Sequence, residues 1–287
     1  MNPEYQRILS VLKQQRGIDF SGYRPGMVGR RIALRMQAAG LSRVEDYCAH
    51  LRDNPGELER LLDCLTIKVS RFFRNPLVFE YLARHVLPRI IQDKSRGKDR
   101  SLRVWSAGCS LGEEAYSLAI LLTEHLGKED LSESPVIFGT DIDASALQEA
   151  EKGIYAAESL KEVKLGLIKR YFTPVGEQRL QTVQGSEDAR FRISPEIREL
   201  VFFSVYDILA PETWAPPESV YGGFDLVSCR NVLIYFEAEQ QQRVFDKLYQ
   251  ALIPGGFLVL GESEAPPREY EDRFIRHTDS CRIYRKR

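Results

Sequence analysis

The sequence is poor in the residues that metal, disulfide and nucleophilic chemistry draw on. Its 287 residues include four histidines and five cysteines. The cysteines (Cys48, Cys64, Cys109, Cys229, Cys281) are odd in number, widely scattered and never arranged as C-x-x-C. That excludes a disulfide framework and a zinc-ligand set, and leaves small buried hydrophobes as the reading of these thiols; no metal site is expected. No run of about 18 apolar residues occurs, and the opening "MNPEYQRILS" lacks an apolar signal core, so the expectation is a cytoplasmic protein without membrane insertion. Internal repeats and low-complexity stretches are also missing.

A large net charge is absent too: the total is −1, with 43% hydrophobic and 28% charged residues, the composition of an ordinary globular chain. The distribution is uneven. Residues 1–75 hold thirteen Lys/Arg against eight Asp/Glu, a net of +5, which leaves about −6 for the remainder. The stretch from Arg24 to Arg43 contains five arginines and no acid, which points to an acidic partner surface. Within it Arg31 and Arg35, four apart, share one helical face beside Arg30.

Apolar positions in residues 1–66 recur at threes and fours, with Pro25 and Pro55 at helix starts and Gly17 and Gly40 at helix ends, which predicts about four short helices. The domain reading is a helical unit over 1–70, a linker over 71–100 ending in the charged stretch Gln92–Arg100, and a second domain over 101–287. In that domain uniformly apolar strands, such as "LRVWSAGC", "PVIFGTDID" and "FDLVSCRNV", alternate with helix-length segments. This is the pattern of an α/β fold whose parallel sheet is covered on both faces. The terminal "RFIRHTDSCRIYRKR" reads as an antiparallel edge, and about 158–195 as a small inserted β-subdomain.

The first strand runs into Ser106–Gly112, a glycine-bearing turn ahead of a helix, where backbone amides face a ligand. Glu113 and Glu114 follow at once and would repel a phosphate. Asp141 or Asp143 ends the next strand, where an acid accepts from ribose hydroxyls. With G-x-G-x-x-G absent, a phosphate-free adenosine carrying a positive centre fits better than a dinucleotide, and S-adenosylmethionine meets that description. The segment Gly108–Gly112 also spells G-x-S-x-G, and Ser110, Asp225 and His277 follow the chain order of a hydrolase triad. Against a hydrolase, no earlier strand supplies an oxyanion-hole loop. A methyltransferase acting on nucleic acid and a non-catalytic cofactor-binding module are further alternatives; the basic helix lacks the interleaved aromatics of a nucleic-acid surface, so no nucleic-acid partner is expected.

Taken together, "TIKVSRFFRN" (Thr66–Asn75), "LRVWSAGCSLGEEAYSLAI", "FGTDID", "FDLVSCRNVLIYF" (Phe224–Phe236) and "LIPGGFLVLGESE" resemble the CheR-type chemotaxis receptor methyltransferases in order and spacing, over nearly the whole chain. The resemblance implies a Rossmann-like S-adenosylmethionine-dependent sheet with an N-terminal all-helical domain. The implied reaction moves a methyl group to glutamate side chains of methyl-accepting chemoreceptors, leaving S-adenosylhomocysteine. Implied cofactor contacts are Lys68, Ser70, Arg74, Gly108, Glu114 on the methionine amino group, Asp141 on the ribose, Asp207 and Ile208 beside the adenine, and Arg230 with Asn231. Lys68 and Ser70 stand where many members carry Asn and Thr, and Asp207 where Asn is frequent. Arg74, to hold the incoming carboxylate, and Tyr235, lining the methyl channel, are the implied catalytic residues; Arg30, Arg31 and Arg35 are the implied contacts to the receptor's cytoplasmic helical domain. In some members the β-subdomain grips a receptor C-terminal tail, a question that falls here on the loop around Gly185. A monomer is the default expectation.

Because the turn is read as a holder and not an attacker, Ser110→Ala is expected to retain most turnover; a loss of about a thousandfold in kcat would restore the nucleophile.

Overall fold

Proline and glycine punctuate the N-terminal helices where the spacing predicts. A computed structural model describes residues 3–68, 70–96, 101–126, 134–176, 189–211, 213–220 and 223–287. Helices α1 (Pro3–Arg16), α2 (Pro25–Ala38), α3 (Val44–Asp53) and α4 (Pro55–Leu65) form the helical unit. Proline opens α2 and α4, where its missing N–H would have had no partner, and the Asn54 side chain accepts from Glu57 N at 3.2 Å to cap α4. Ile8, Leu12, Val28, Ile32, Leu51, Leu58 and Leu61 make its core.

Two of the three arginines expected at the receptor are committed inside this unit. Arg35 donates to both carboxylate oxygens of buried Glu57 at 2.7 Å, and the Tyr47 hydroxyl donates to the same group at 3.0 Å. Arg31 donates to the carbonyl oxygens of Cys64 and, at 3.3 Å, Leu65, at the C-terminal end of α4 where the helix dipole favours a cation. The reason is the stripe Val28, Ile32, Met36 that α2 buries: positions 31 and 35 flank it on the side of α4. Arg30 alone of the three is exposed.

The segment read as a linker is a packed layer. It contains α5 (Pro76–Tyr81), a π-helical turn (Leu82–Val86) and α6 (Leu87–Arg96), which bury Val78, Phe79, Leu82, Val86, Leu87 and Ile90 against the sheet. The charged end that suggested a link is partly helical, and its Lys94 reaches buried Asp225 at 3.1 Å.

The second domain follows the expected alternation: β1 (Arg103–Ala107), α7 (Glu113–His125), β2 (Val136–Asp141), α8 (Ala144–Lys152), β3 (Ile154–Ala156), α9 (Leu165–Tyr171), β4 (Phe172–Val175), β5 (Arg190–Ile193), α10 (Pro195–Arg198), β6 (Val201–Val205), β7 (Phe224–Cys229), α11 (Ala238–Ala251), β8 (Leu252–Leu260), β9 (Phe274–Arg276) and β10 (Ile283–Lys286). Among the described residues these strands form a seven-stranded sheet ordered β6-β2-β1-β7-β8-β10-β9, parallel up to β8 and antiparallel beyond it, and a three-stranded antiparallel sheet β3-β5-β4. The small sheet begins at Ile154, slightly ahead of the predicted insertion, and the loop around Gly185 lies outside the described residues. Phe72 is fully buried and stands edge-on to Tyr155 and Phe172, at 4.8 and 5.0 Å, pinning the small sheet to the former linker.

One core joins the helical unit and α11 to one face of the large sheet, through Trp105, Phe224, Phe245 and Leu248; the other covers the opposite face with α5, α6 and α7. The five cysteines are free, and all but Cys64 are buried. Among the described residues no helix is long and apolar enough to cross a membrane.

Arg35→Ala is expected to cost about 3 kcal/mol of stability, because it leaves the buried Glu57 charge without its hydrogen-bonded cation and with only the more exposed Arg60 at 3.7 Å. The urea midpoint measures this, and an unchanged midpoint would show that the pair contributes nothing.

Candidate functional site

Strand order reverses between β1 and β7, and in open parallel sheets the ligand crevice opens there, outside the carboxyl ends of the strands. The β1–α7 turn is pulled across by hydrogen bonds from Gly108 N and Cys109 N to Thr140 O, at 2.8 and 2.9 Å. Gly108 (φ +72) and Gly112 (φ +85) are required: a Cβ on Gly108 would lie 2.5 Å from Val232 Cγ2, and one on Gly112 2.8 Å from Ala150 and Phe203. The close approach that Gly108 permits is therefore made to the turn after β7.

One cleft at this edge is lined by Lys68, Ser70, Arg74, Gly108, Glu114, Asp141, Asp207, Ile208, Arg230, Asn231 and Tyr235, which is every residue expected at the cofactor and the reacting carboxylate. Asp141 accepts from Ser110 N (2.8 Å) and Asp143 N (3.0 Å); burial pushes its carboxyl up, against the pull of these amides. Burial likewise raises Asp207, which accepts from Leu209 N at 2.8 Å. Glu114 accepts from Ser106 Oγ at 2.8 Å and from Arg230 Nη1 at 3.1 Å. Arg230 Nη2 donates to Arg74 O (2.7 Å) and Asn75 Oδ1 (2.8 Å).

Lys68 and Ser70, which line the cleft, also have protein partners. The Lys68 ammonium is held by Asp63 (2.7 Å), Ser145 Oγ (2.8 Å) and Asp143 (3.1 Å), and Ser70 hydrogen-bonds buried Glu113. Asp143, which the sequence left level with Asp141, is the N-cap of α8 and accepts from Ala146 N (3.0 Å) and Thr66 Oγ1 (2.8 Å). Burial works against its charge, but the hydrogen bonds from Ser145, Ala146, Thr66 and Lys68 prevail and hold its carboxyl below the usual range. The hydrolase triad does not assemble: Asp225 is bound by Lys94 and Arg103 N, and His277 Nδ1 by the Tyr81 hydroxyl.

The helical unit closes over the same cleft by a second seam. Tyr23 bridges Phe236, with Arg24 N donating to Tyr235 O at 2.8 Å, and Tyr23 itself lines the cleft. No aspect of the sequence pattern singled out Tyr23, and Asn75 entered only as the last residue of the Thr66–Asn75 motif, without a role of its own.

Residues 68–280 match the family described as "CheR methyltransferase, SAM binding domain", and residues 3–66 match "CheR methyltransferase, all-alpha domain". The chain belongs to the CheR methyltransferase family. Its similar proteins include the chemotaxis protein methyltransferases of Listeria innocua (32% identical, 92% of this chain and 90% of that protein) and Escherichia coli K12 (32%, 91% and 83%). A 104.1 kDa protein of Rhodobacter capsulatus is 33% identical over 93% of this chain, which spans 26% of that protein. Among solved structures, the N-methyltransferase NodS of Bradyrhizobium japonicum with S-adenosyl-l-homocysteine aligns over 60% of this chain and 59% of its own at 18% identity; its TM-score of 0.29 is too low to bear on the site.

The cleft of this CheR methyltransferase fits S-adenosylmethionine on its own evidence. Glu114, Asp141 and Asp207 suit a cationic, hydroxyl-bearing ligand, and two buried polar atoms of lining residues, Ser110 Oγ and Arg230 Nε, have no protein partner. Asp141, Asp207 and Ile208 would hold the nucleoside, and Glu114 the amino-acid tail.

Asp141 generates a pH prediction. Its raised carboxyl takes up a proton at a higher pH than an ordinary aspartate does, and the protonated form loses acceptor capacity, so S-adenosylhomocysteine affinity is expected to weaken as the solution is acidified. Asp141→Asn should bind more weakly and flatten the profile in calorimetry. A variant profile superimposable on that of the parent would remove Asp141 from this role.

Proposed function

We propose that this chain transfers a methyl group from S-adenosylmethionine to glutamate side-chain carboxylates of a chemoreceptor, forming γ-methyl esters. The observation that supports this reading best is the company Arg74 and Tyr235 keep: an arginine and a tyrosine share the cleft with the cofactor-type carboxylates, while no histidine is among its described lining residues. Burial pushes the thiol of Cys109, the lining cysteine, well up, so it is no nucleophile at neutral pH.

A cleft with neither a histidine nor an activated thiol among its described lining residues suits a carboxylate substrate, because a glutamate with an ordinary pKa near 4.3 is already ionised at neutral pH and needs no base. When bound, S-adenosylmethionine supplies a methyl group on a cationic sulfur. What the protein supplies is placement, which can lower a barrier by about 7–11 kcal/mol. Arg74 orients the incoming carboxylate. Tyr235 stays protonated at neutral pH because burial raises its hydroxyl, with the charges of Arg31 and Arg74 opposing, and it can therefore donate a hydrogen bond at the channel. Exposed Arg30 on α2 faces an acidic receptor surface, where attraction would speed encounter and weaken with salt.

The test is incubation with methyl-labelled S-adenosylmethionine and membranes containing chemoreceptors. Base-labile label on receptor protein is the expected result; label on nucleic acid, or none, would sink the proposal. In the same assay Arg74→Ala should lower kcat about a hundredfold while cofactor Kd moves less than about threefold. Equal losses in both would assign Arg74 to cofactor binding alone.

A further inference from the structure

Arg74 sits between two non-glycine residues in the left-handed region, Phe73 (φ +56) and Asn75 (φ +62). Such a backbone persists only where surroundings over-determine it, and it clusters at functional sites. Here side chains from separate elements hold it. Ser117 Oγ of α7 accepts from Phe73 N at 2.9 Å, and Glu162 accepts from Asn75 N at 3.2 Å. Arg230, just past β7, donates through one nitrogen to Arg74 O at 2.7 Å and to Asn75 Oδ1 at 2.8 Å.

The Asn75 amide completes the arrangement: while its oxygen accepts from Arg230, its Nδ2 donates to Glu262 Oε1, just past β8, at 2.8 Å. Asn75 is the N-cap residue of α5, where an asparagine side chain ordinarily accepts from the first turn, yet it makes no such bond. The capping reason for an asparagine at this position is therefore absent, and its tolerance of the left-handed backbone is shared by glycine.

We propose that Asn75 is a positioning residue for Arg74: its left-handed backbone and its amide bridge from Arg230 to Glu262 fix the turn that aims Arg74 into the cleft. Arg230 also holds Glu114, so one guanidinium ties the cofactor side of the cleft to the carboxylate side. The inference rests on the role proposed above for Arg74.

Three variants test it in the labelling assay. Asn75→Gly keeps the left-handed turn without strain and removes only the bridge, and is expected to lower kcat about tenfold while the Kd for S-adenosylhomocysteine stays within about twofold. Asn75→Asp retains the acceptor for Arg230 but sets a carboxylate against Glu262; it should be slow, and adding Glu262→Gln, which restores a donor–acceptor pair, should regain most of the rate. In an Arg74→Ala background, Asn75→Gly should cause no further loss, since a residue acting through Arg74 has nothing left to act on. Unchanged kcat in Asn75→Gly, an affinity loss matching the rate loss, a double variant as slow as Asn75→Asp, or additive losses with Arg74→Ala would each overturn the inference. If Arg74→Ala is slow while the Asn75 variants are fast, this inference alone fails; turnover retained by Arg74→Ala overturns the role of Arg74 and this inference with it.

Discussion

The buried guanidinium of Arg230 is the interaction on which the site depends. Its side chain is 4% exposed, and an uncompensated charge at such depth costs several kcal/mol, so its partners are obligatory. Those partners come from two parts of the chain: Glu114 at the start of α7, and the turn that supplies the Arg74 carbonyl and the Asn75 side chain, with the Phe79 ring 5.5 Å from the cation. Satisfying one charge therefore fixes the mutual placement of the first βα turn, the turn carrying Arg74 and the end of β7. The groups proposed for the cofactor and for the substrate are built on the same constraint.

A second buried charge organises the other wall. Asp143 caps α8, gives its own N–H to Asp141, and collects Thr66 and Lys68 from the chain leaving α4. The helical unit is thus bound to the rim of the cleft by Asp143 on one side and by the Tyr23–Phe236 bridge on the other. Lys68, a cation that would sit badly beside a sulfonium, is reconciled with the site because its charge is matched by Asp63 and Asp143; burial opposes its protonation, but those carboxylates raise it.

The chemistry suits a scaffold of this kind. A nucleophile that is ionised without help needs no histidine, no activated thiol and no metal ligand set, and the sequence is correspondingly sparse in all three. The demand shifts to orientation, and the left-handed turn around Arg74 and the two buried charges hold side chains in fixed places at the cleft.

Much of this was legible in the chain. Helix boundaries followed Pro25, Pro55, Gly17 and Gly40, strands followed short apolar runs, and the residues assigned by motif all line one cleft, because local backbone preference and periodic burial act over a few neighbouring residues. Between 76 and 96 the charged end of the stretch masked an apolar stripe, and that stripe packs in the core on one face of the sheet. Sequence by itself determined the order of elements, the places where the turns fall and the set of acids at the strand ends. Only the tertiary structure decided what each charge faces: that Arg31 and Arg35 serve α4, that Lys68 answers Asp143, and that Asn75 joins Arg230 to Glu262. The physical reason is that an ion pair or hydrogen bond acts only within a few ångströms, and residues as far apart as 75 and 262 come within that reach only when the sheet has assembled.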